Sequence, residues 1–292
     1  MANLKEVRNR IASVNSTQQI TKAMKMVSAA KLRRAQDAII LMRPYASKLR
    51  EIMENISGSL DSSVGGQYAV VRPINKVLII AVSSNRGLCG AFNANINRTV
   101  NRLIREDYAS QAKQGNLKVL AIGKKSSDFF GKVNDILAAQ HNDVYTNLTF
   151  DAVSKVAESV MREFALGNYD RVDVVYNQFK NAAVQLVQVE QVLPISPAVK
   201  KEKATVNDYI FEPGKEELVL ELIPKSIKVQ LYKAVLDSHA SEHGARMTAM
   251  SKATDNAGEL LKDLRLSYNK ARQAAITGEI LEIVAGAEAL NG

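Results

Sequence analysis

The sequence predicts an α/β protein of unusual layout. A long antiparallel coiled coil of the N- and C-terminal helices carries an inserted α/β domain with a mostly parallel sheet. Three observations predict it. Narrow apolar stripes at near-heptad spacing run through both ends of the chain, the pattern of a helix that meets one partner helix. The middle alternates strand-length apolar runs with helical stretches. Between Lys225 and Ala285 there is no proline, so a helix of that length, roughly 90 Å at 1.5 Å per residue, is permitted.

Residues 1–57 form the first element. Leu4, Val7, Ile11 and Val14 open the stripe. The rhythm slips across residues 15–19. It resumes at Ile20, Met24, Val27, Leu32, Ala35, Ile39, Met42, Ala46, Leu49, Met53 and Ile56. Pro44 either bends this helix or divides it near Arg43, because a mid-helix proline costs about 3 kcal/mol. Residues 59–74 follow as irregular cover.

The central domain spans residues 75–193. Val77–Val82 is a continuous apolar run, as in a strand covered on both faces. A glycine-containing turn follows at Ser83–Gly90, then a helix from Ala91 to about Ala112. Residues 117–123 make a second strand and 124–138 a second helix. A weak third strand is placed at Asp143–Tyr145, then a helix over 150–166 capped by Thr149 or Asp151. Strands over 171–177 and 184–192 complete the domain. The last changes its apolar face between Leu186 and Val187, which predicts a bulge or a partly exposed edge.

Residues 194–218 read as a linker and 219–292 as the second coiled-coil helix, with Pro224 in its first turn, where a missing N–H costs nothing. Its expected seam includes Ile227, Leu231, Val235, Ala245, Ala249, Ala253, Leu260, Leu264, Ala271, Ala275, Ile280 and Ile283.

Composition excludes several chemistries. One cysteine, Cys89, rules out an intrachain disulfide or a cysteine zinc site. Gly87-Leu88-Cys89-Gly90 lacks the third glycine of a dinucleotide fingerprint, and Gly123-Lys124-Lys125 is no P-loop. His239 and His243 are spaced i, i+4, but no third metal ligand accompanies them. No nucleophile triad or carboxylate pair stands out. The chain is therefore read as a non-enzyme with no cofactor and no metal. No run of 18 apolar residues indicates a membrane span.

Charge is uneven. The total is +9, and residues 1–57 hold eleven basic against four acidic side chains. That concentration suits a solvated helix face, an acidic protein partner beside Lys22 to Arg34, or nucleic acid. The basic residues are not interleaved with aromatics, which argues against nucleic acid.

Three ordered motifs carry a family resemblance. The first is Thr17-Gln18-Gln19-Ile20-Thr21-Lys22-Ala23-Met24-Lys25-Met26-Val27-Ser28-Ala29-Ala30-Lys31. The second is Ser83-Ser84-Asn85-Arg86-Gly87-Leu88-Cys89-Gly90-Ala91-Phe92-Asn93. The third begins Ser241-Glu242-His243-Gly244-Ala245-Arg246-Met247 and continues to Tyr268-Asn269-Lys270-Ala271-Arg272-Gln273-Ala274-Ala275-Ile276-Thr277-Gly278-Glu279. Together they span nearly the whole chain, which resembles the gamma subunit of F-type ATP synthase, most like the bacterial form.

The resemblance implies a non-catalytic rotor stalk. It would transmit torque between a membrane c-ring and the catalytic beta sites of an alpha/beta hexamer, coupled to proton or sodium transport. It implies contact with alpha, beta and epsilon subunits and the c-ring, and a peripheral place on the cytoplasmic face of the bacterial inner membrane. By the same likeness, Arg272, Gln273 and Thr277 match residues that contact a beta loop inside the hexamer. Met24 and its basic neighbours Lys25, Lys31, Arg33 and Arg34 would lie near an acidic C-terminal segment of beta. The alternatives are a coiled-coil adaptor for an acidic protein and a basic nucleic-acid-binding rod.

Overall fold

The computed structural model describes residues 4–57, 66–133, 135–195 and 215–291. The chain forms two compact units: Met1–Ser28 with Met247–Gly292, and Ala29–Arg246. Two long helices, α1 (Leu4–Ser57) and α6 (Lys215–Asn291), contribute to both.

The larger unit is a three-layer α/β sandwich. Its five strands are β1 (Val77–Val82), β2 (Leu117–Ile122), β3 (Leu137–Gln140), β4 (Arg171–Phe179) and β5 (Gln185–Leu193), in the order β3-β2-β1-β4-β5. All pairings are parallel except the β4–β5 hairpin. Period-two alternation along each strand sends side chains to opposite faces. Leu78, Ile80, Val82, Val174 and Tyr176 face one layer, where α5 (Phe150–Ala165) and the Ile223–Val235 stretch of α6 cover them. Val77, Ile79, Ala81, Val119 and Val175 face the other. There α2 (Phe92–Arg105) supplies Ile96, Val100 and Leu103, and α4 (Lys124–Phe130) supplies Phe130. Both faces are dry, so β1 can be wholly apolar.

Several expected elements shift. The helix expected over 91–112 breaks at Glu106–Tyr108 into α2 and a short α3 (Ala109–Lys113). The break lets the Tyr108 hydroxyl donate to the buried Asp173 carboxylate. The second helix stops at Phe130, and the third strand is Leu137–Gln140 rather than 143–145, which is a 3₁₀ turn. β5 is the expected edge strand, but the register shifts opposite Val172 and Asp173, not at Leu186. α6 starts at Lys215 with Pro224 inside it. Burial of Ile223 and Ile227, at about 1.5–3 kcal/mol each, outweighs the proline's cost. Residues 58–65 and 196–214, most of the expected linkers, lie outside the described residues.

Pro44 neither ends nor divides α1, which continues to Ser57. Within the larger unit α1 buries Leu32, Ala35, Ile39 and Leu49. Its Arg43 guanidinium donates to the Phe179 carbonyl at 3.0 Å and to Asp237 at 3.2 Å on α6.

Gly123 turns β2 into α4 with φ +107°, and a Cβ there would sit 2.3 Å from the Ser83 carbonyl oxygen. This close approach requires glycine.

Candidate functional site

In the smaller unit the two helices run antiparallel. Arg8 Nη2 donates to the Tyr268 hydroxyl at 3.0 Å, Gln18 Nε2 to the Thr254 carbonyl at 3.4 Å, and Lys25 Nζ to Ser251 Oγ at 3.0 Å. The Thr21 and Thr254 hydroxyls lie 2.8 Å apart. Each also reaches a backbone carbonyl of its own helix, Gln18 and Met250. Gly258 lets Gln18 approach: a Cβ there would meet its Nε2 at 3.0 Å.

The seam on α1 therefore runs Val7, Ile11, Val14, Gln18, Thr21, Met24 and Ser28, without a slip. Ile20 and Val27, expected on it, are each 57% exposed. On α6 the seam takes Ala257 and Leu261, while Leu260, Ile280 and Ile283 are exposed. The apolar stripe and the seam part company where the seam residues are polar, at Gln18, Thr21 and Ser28.

A buried polar cluster occupies the larger unit, where α6 crosses the turn after β1. Arg246 Nη1 lies 2.7 Å from Glu242 Oε1, both side chains about nine-tenths buried. The same guanidinium donates to the Arg86 carbonyl at 2.9 Å and to the Gly87 carbonyl at 3.2 and 3.3 Å. These bonds hold a turn in which Leu88 and Gly90 adopt φ of +61° and +58°. His243 Nδ1 sits 3.4 Å from Arg246 Nη1, and His243 Nε2 sits 3.1 Å from His239 Nε2. Arginine only donates, so His243 accepts at Nδ1 and carries its proton on Nε2, which donates to His239.

Burial sets the ionisation here. It lowers His239 to about 4, with help from the Lys31 and Arg246 charges. Burial, then His239 and the same cations, lowers His243 to about 3. Burial pushes the Glu242 carboxyl above its ordinary range while Arg246 pulls it back. It also raises the Cys89 thiol, which makes that buried cysteine a poor nucleophile. Among the described residues no three His, Cys, Asp or Glu side chains gather to hold a metal ion. This cluster braces a turn against a helix. It provides no open face for a substrate.

The ATP synthase family model matches residues 3–290. The ATP synthase gamma chains of Flavobacterium johnsoniae and Cytophaga hutchinsonii are 58% and 56% identical over 292 and 294 residues, covering both chains in full. That of Chlorobaculum tepidum is 47% identical over 291 residues, again with full coverage of both. The chain belongs to the ATP synthase gamma chain family.

Among solved structures, the central stalk/c-ring of Tetrahymena thermophila mitochondrial ATP synthase contains a chain matching with a TM-score of 0.62. Identity is 28%, over 80% of this chain and 99% of that one. The rotor of Euglena gracilis mitochondrial ATP synthase matches in fold, with a TM-score of 0.67 at 23% identity over 94% and 98%. This member of the family is the central rotor stalk subunit, a non-catalytic part of a membrane-associated complex. Among the described residues no helix is long and apolar enough to cross a membrane.

The site residues suggested by the sequence fall in different places. Met24 is half-buried on the seam, and Lys25 is exposed and bonded to Ser251. Lys31, Arg33 and Arg34 are exposed on the part of α1 that belongs to the larger unit. Arg272, Gln273 and Thr277 are exposed on α6. Within the smaller unit Arg272 is 21 residues beyond Ser251, the partner of Lys25, or about 32 Å along the helix, so Lys25 and Arg272 belong to separate surfaces. The roles of Glu242, His243 and Arg246 were not legible. Their motif marked the family, but only the fold brings Arg86 and Gly87 to them.

Proposed function

We propose that this chain turns as the central shaft of a bacterial ATP synthase. It carries torque between a ring of c subunits and the catalytic beta sites of a hexamer of alternating alpha and beta subunits. The observation that carries this reading is the far end of α6. Arg8 is level with Tyr268, so one further turn brings Leu4 level with Arg272. Beyond that level Ile276, Ile280, Leu281, Ile283 and Val284 are 45–71% exposed. Among the described residues this apolar helix end has no partner from its own chain, which calls for a surrounding sleeve, and the hexamer's central cavity provides one.

Within that stretch Arg272, Gln273 and Thr277 supply directional contacts to a beta-subunit loop. Further along, Met24 with Lys25, Lys31, Arg33 and Arg34 meets an acidic segment of beta by charge complementarity. The α/β unit contacts the epsilon subunit and the c-ring, on the cytoplasmic face of the inner membrane. No cofactor, metal or nucleic acid takes part. Two helices packed side by side resist bending better than one, and their cross-section is not round. A turning shaft of that form presents a different surface to each beta subunit in succession.

The test uses the single buried cysteine to advantage. Lys113→Cys places a reactive thiol at an exposed position of α3, where a bead can be attached to this chain before reconstitution with alpha and beta subunits. ATP should drive unidirectional turning of the bead. A complex that hydrolyses ATP while the bead stays still would overturn the proposal.

A further inference from the structure

A groove on the larger unit has no part in the reading above. It lies between α2 and α4, opens over about 900 Å3, and is lined by five cations against Glu106 and Asp128. From α2 come Arg98, Arg102 and Arg105, whose i, i+4, i+7 spacing puts them on one face. From α4 and the turn after it come Lys125 and Lys132. All five are exposed. Among the described residues none of them makes an ion pair; Arg98 donates to the Asn95 side chain at 3.4 Å.

Helix dipoles account for part of this charge. Arg102 and Arg105 sit in the last turn of α2, where cations are favoured. Lys125 sits in the first turn of α4, where they are disfavoured, so the local fold gives no reason for it. Phe129, 41% exposed and held edge-on against Phe130 at 5.0 Å, adds an apolar contact among the charges.

We infer that this groove docks an acidic amphipathic helix of a protein partner. Such a helix presents carboxylates at i, i+4 and i+7 to the two basic rows and an apolar residue to Phe129. The chemistry of the groove selects this occupant. Its cations spread over about 10 Å along α2, more than one phosphate group spans. It is open along its length, whereas small-molecule sites enclose their ligands. It has a single aromatic ring, not the succession on which unpaired bases stack.

The inference is tested on the full chain, independently of rotation. The probe is a fluorescein-labelled 18-residue helical peptide with glutamates at i, i+4 and i+7 and leucine on the flanking face, followed by anisotropy. Arg102→Glu/Lys125→Glu should weaken binding at least tenfold. Lys113→Glu/Lys155→Glu, of equal net charge but away from the groove, should change it less than twofold. Phe129→Ala should weaken it severalfold without altering its dependence on salt. Equal losses in the two double variants would reduce the effect to overall charge and overturn the inference. So would undetectable binding. Tighter binding of a single-stranded oligonucleotide, lost in Arg102→Glu/Lys125→Glu, would also overturn it.

Discussion

Replacing Arg246 by methionine removes a charge from the brace between α6 and the turn after β1 while keeping most of its volume. The change deletes the 2.7 Å ion pair to Glu242 and the bonds to the Arg86 and Gly87 carbonyls. Breaking one side of a buried pair leaves the other charge uncompensated, at about 3–5 kcal/mol. With a urea m-value of about 2 kcal/mol/M, the midpoint falls by roughly 1.5–2.5 M. Glu242→Leu/Arg246→Met removes the stranded carboxylate as well. What remains is the Gly87 carbonyl without its donor, at about 1 kcal/mol, since the Ser84 hydroxyl still donates to the Arg86 carbonyl at 2.6 Å, so the double variant should be more stable than the single one. The penalty of Arg246→Met should also shrink toward pH 5. Burial already raises the Glu242 carboxyl, and without its cation it protonates more readily. The assay is urea unfolding by circular dichroism at pH 7 and pH 5, with hydrogen exchange of residues 83–90 reporting the turn. A cost below about 1 kcal/mol at pH 7, or a double variant no better than the single, would refute the reasoning.

Three further outcomes are expected. His239 and His243 are held neutral, near 4 and 3 against an ordinary value of 6.5. Their contribution is therefore complete above pH 6.5 and is lost as pH falls, by up to about 1.4 kcal/mol per pH unit each. Between pH 7 and 5 that withdraws about 4 kcal/mol, part of which the opposite shift of Glu242 returns; a flat urea midpoint over this range would contradict neutral burial. Gly123→Ala drives a methyl to 2.3 Å from the Ser83 carbonyl at φ +107° and should cost about 3 kcal/mol or more. Gly115→Ala, at φ +74° in open space, should cost about 1, and equal midpoints for the two would exclude the clash. Arg272→Ala/Gln273→Ala, both exposed, should leave the unfolding midpoint unchanged and lower the yield of assembled alpha/beta hexamer; normal assembly would remove these residues from the interface.

The strands most readily legible were β1, β2 and β4, because a sheet covered on both faces favours near-continuous apolar runs: β1 is wholly apolar, β2 is broken only by Lys118, and β4 carries Val172, Val174, Val175 and Tyr176 around Asp173. β3 escaped because it is four residues long with alternate positions exposed. The two long helices were visible as stripes, yet the seam was misplaced at Ile20, Val27 and Leu260. Hydrophobicity reports the phase of a helix only where the buried residues are apolar. Here Gln18, Thr21 and Thr254 sit at the seam and bond across it. The exposed site residues Arg272, Gln273 and Thr277 came from motif likeness, since exposed polar side chains leave no periodic trace.

By itself the sequence determined the order of elements, the coiled-coil ends, the inserted sheet and the basic bias of α1. These follow from spacing and composition, which are local properties of the chain. Tertiary structure alone decided that Pro224 lies within a helix, because the burial offsetting its lost hydrogen bond comes from residues remote in sequence. It alone joined Arg246 to Arg86 and Gly87 across some 160 positions, and set the cations of α2 and α4 along one groove. Such pairings depend on how chain segments return to one another, and no stretch of sequence contains that information.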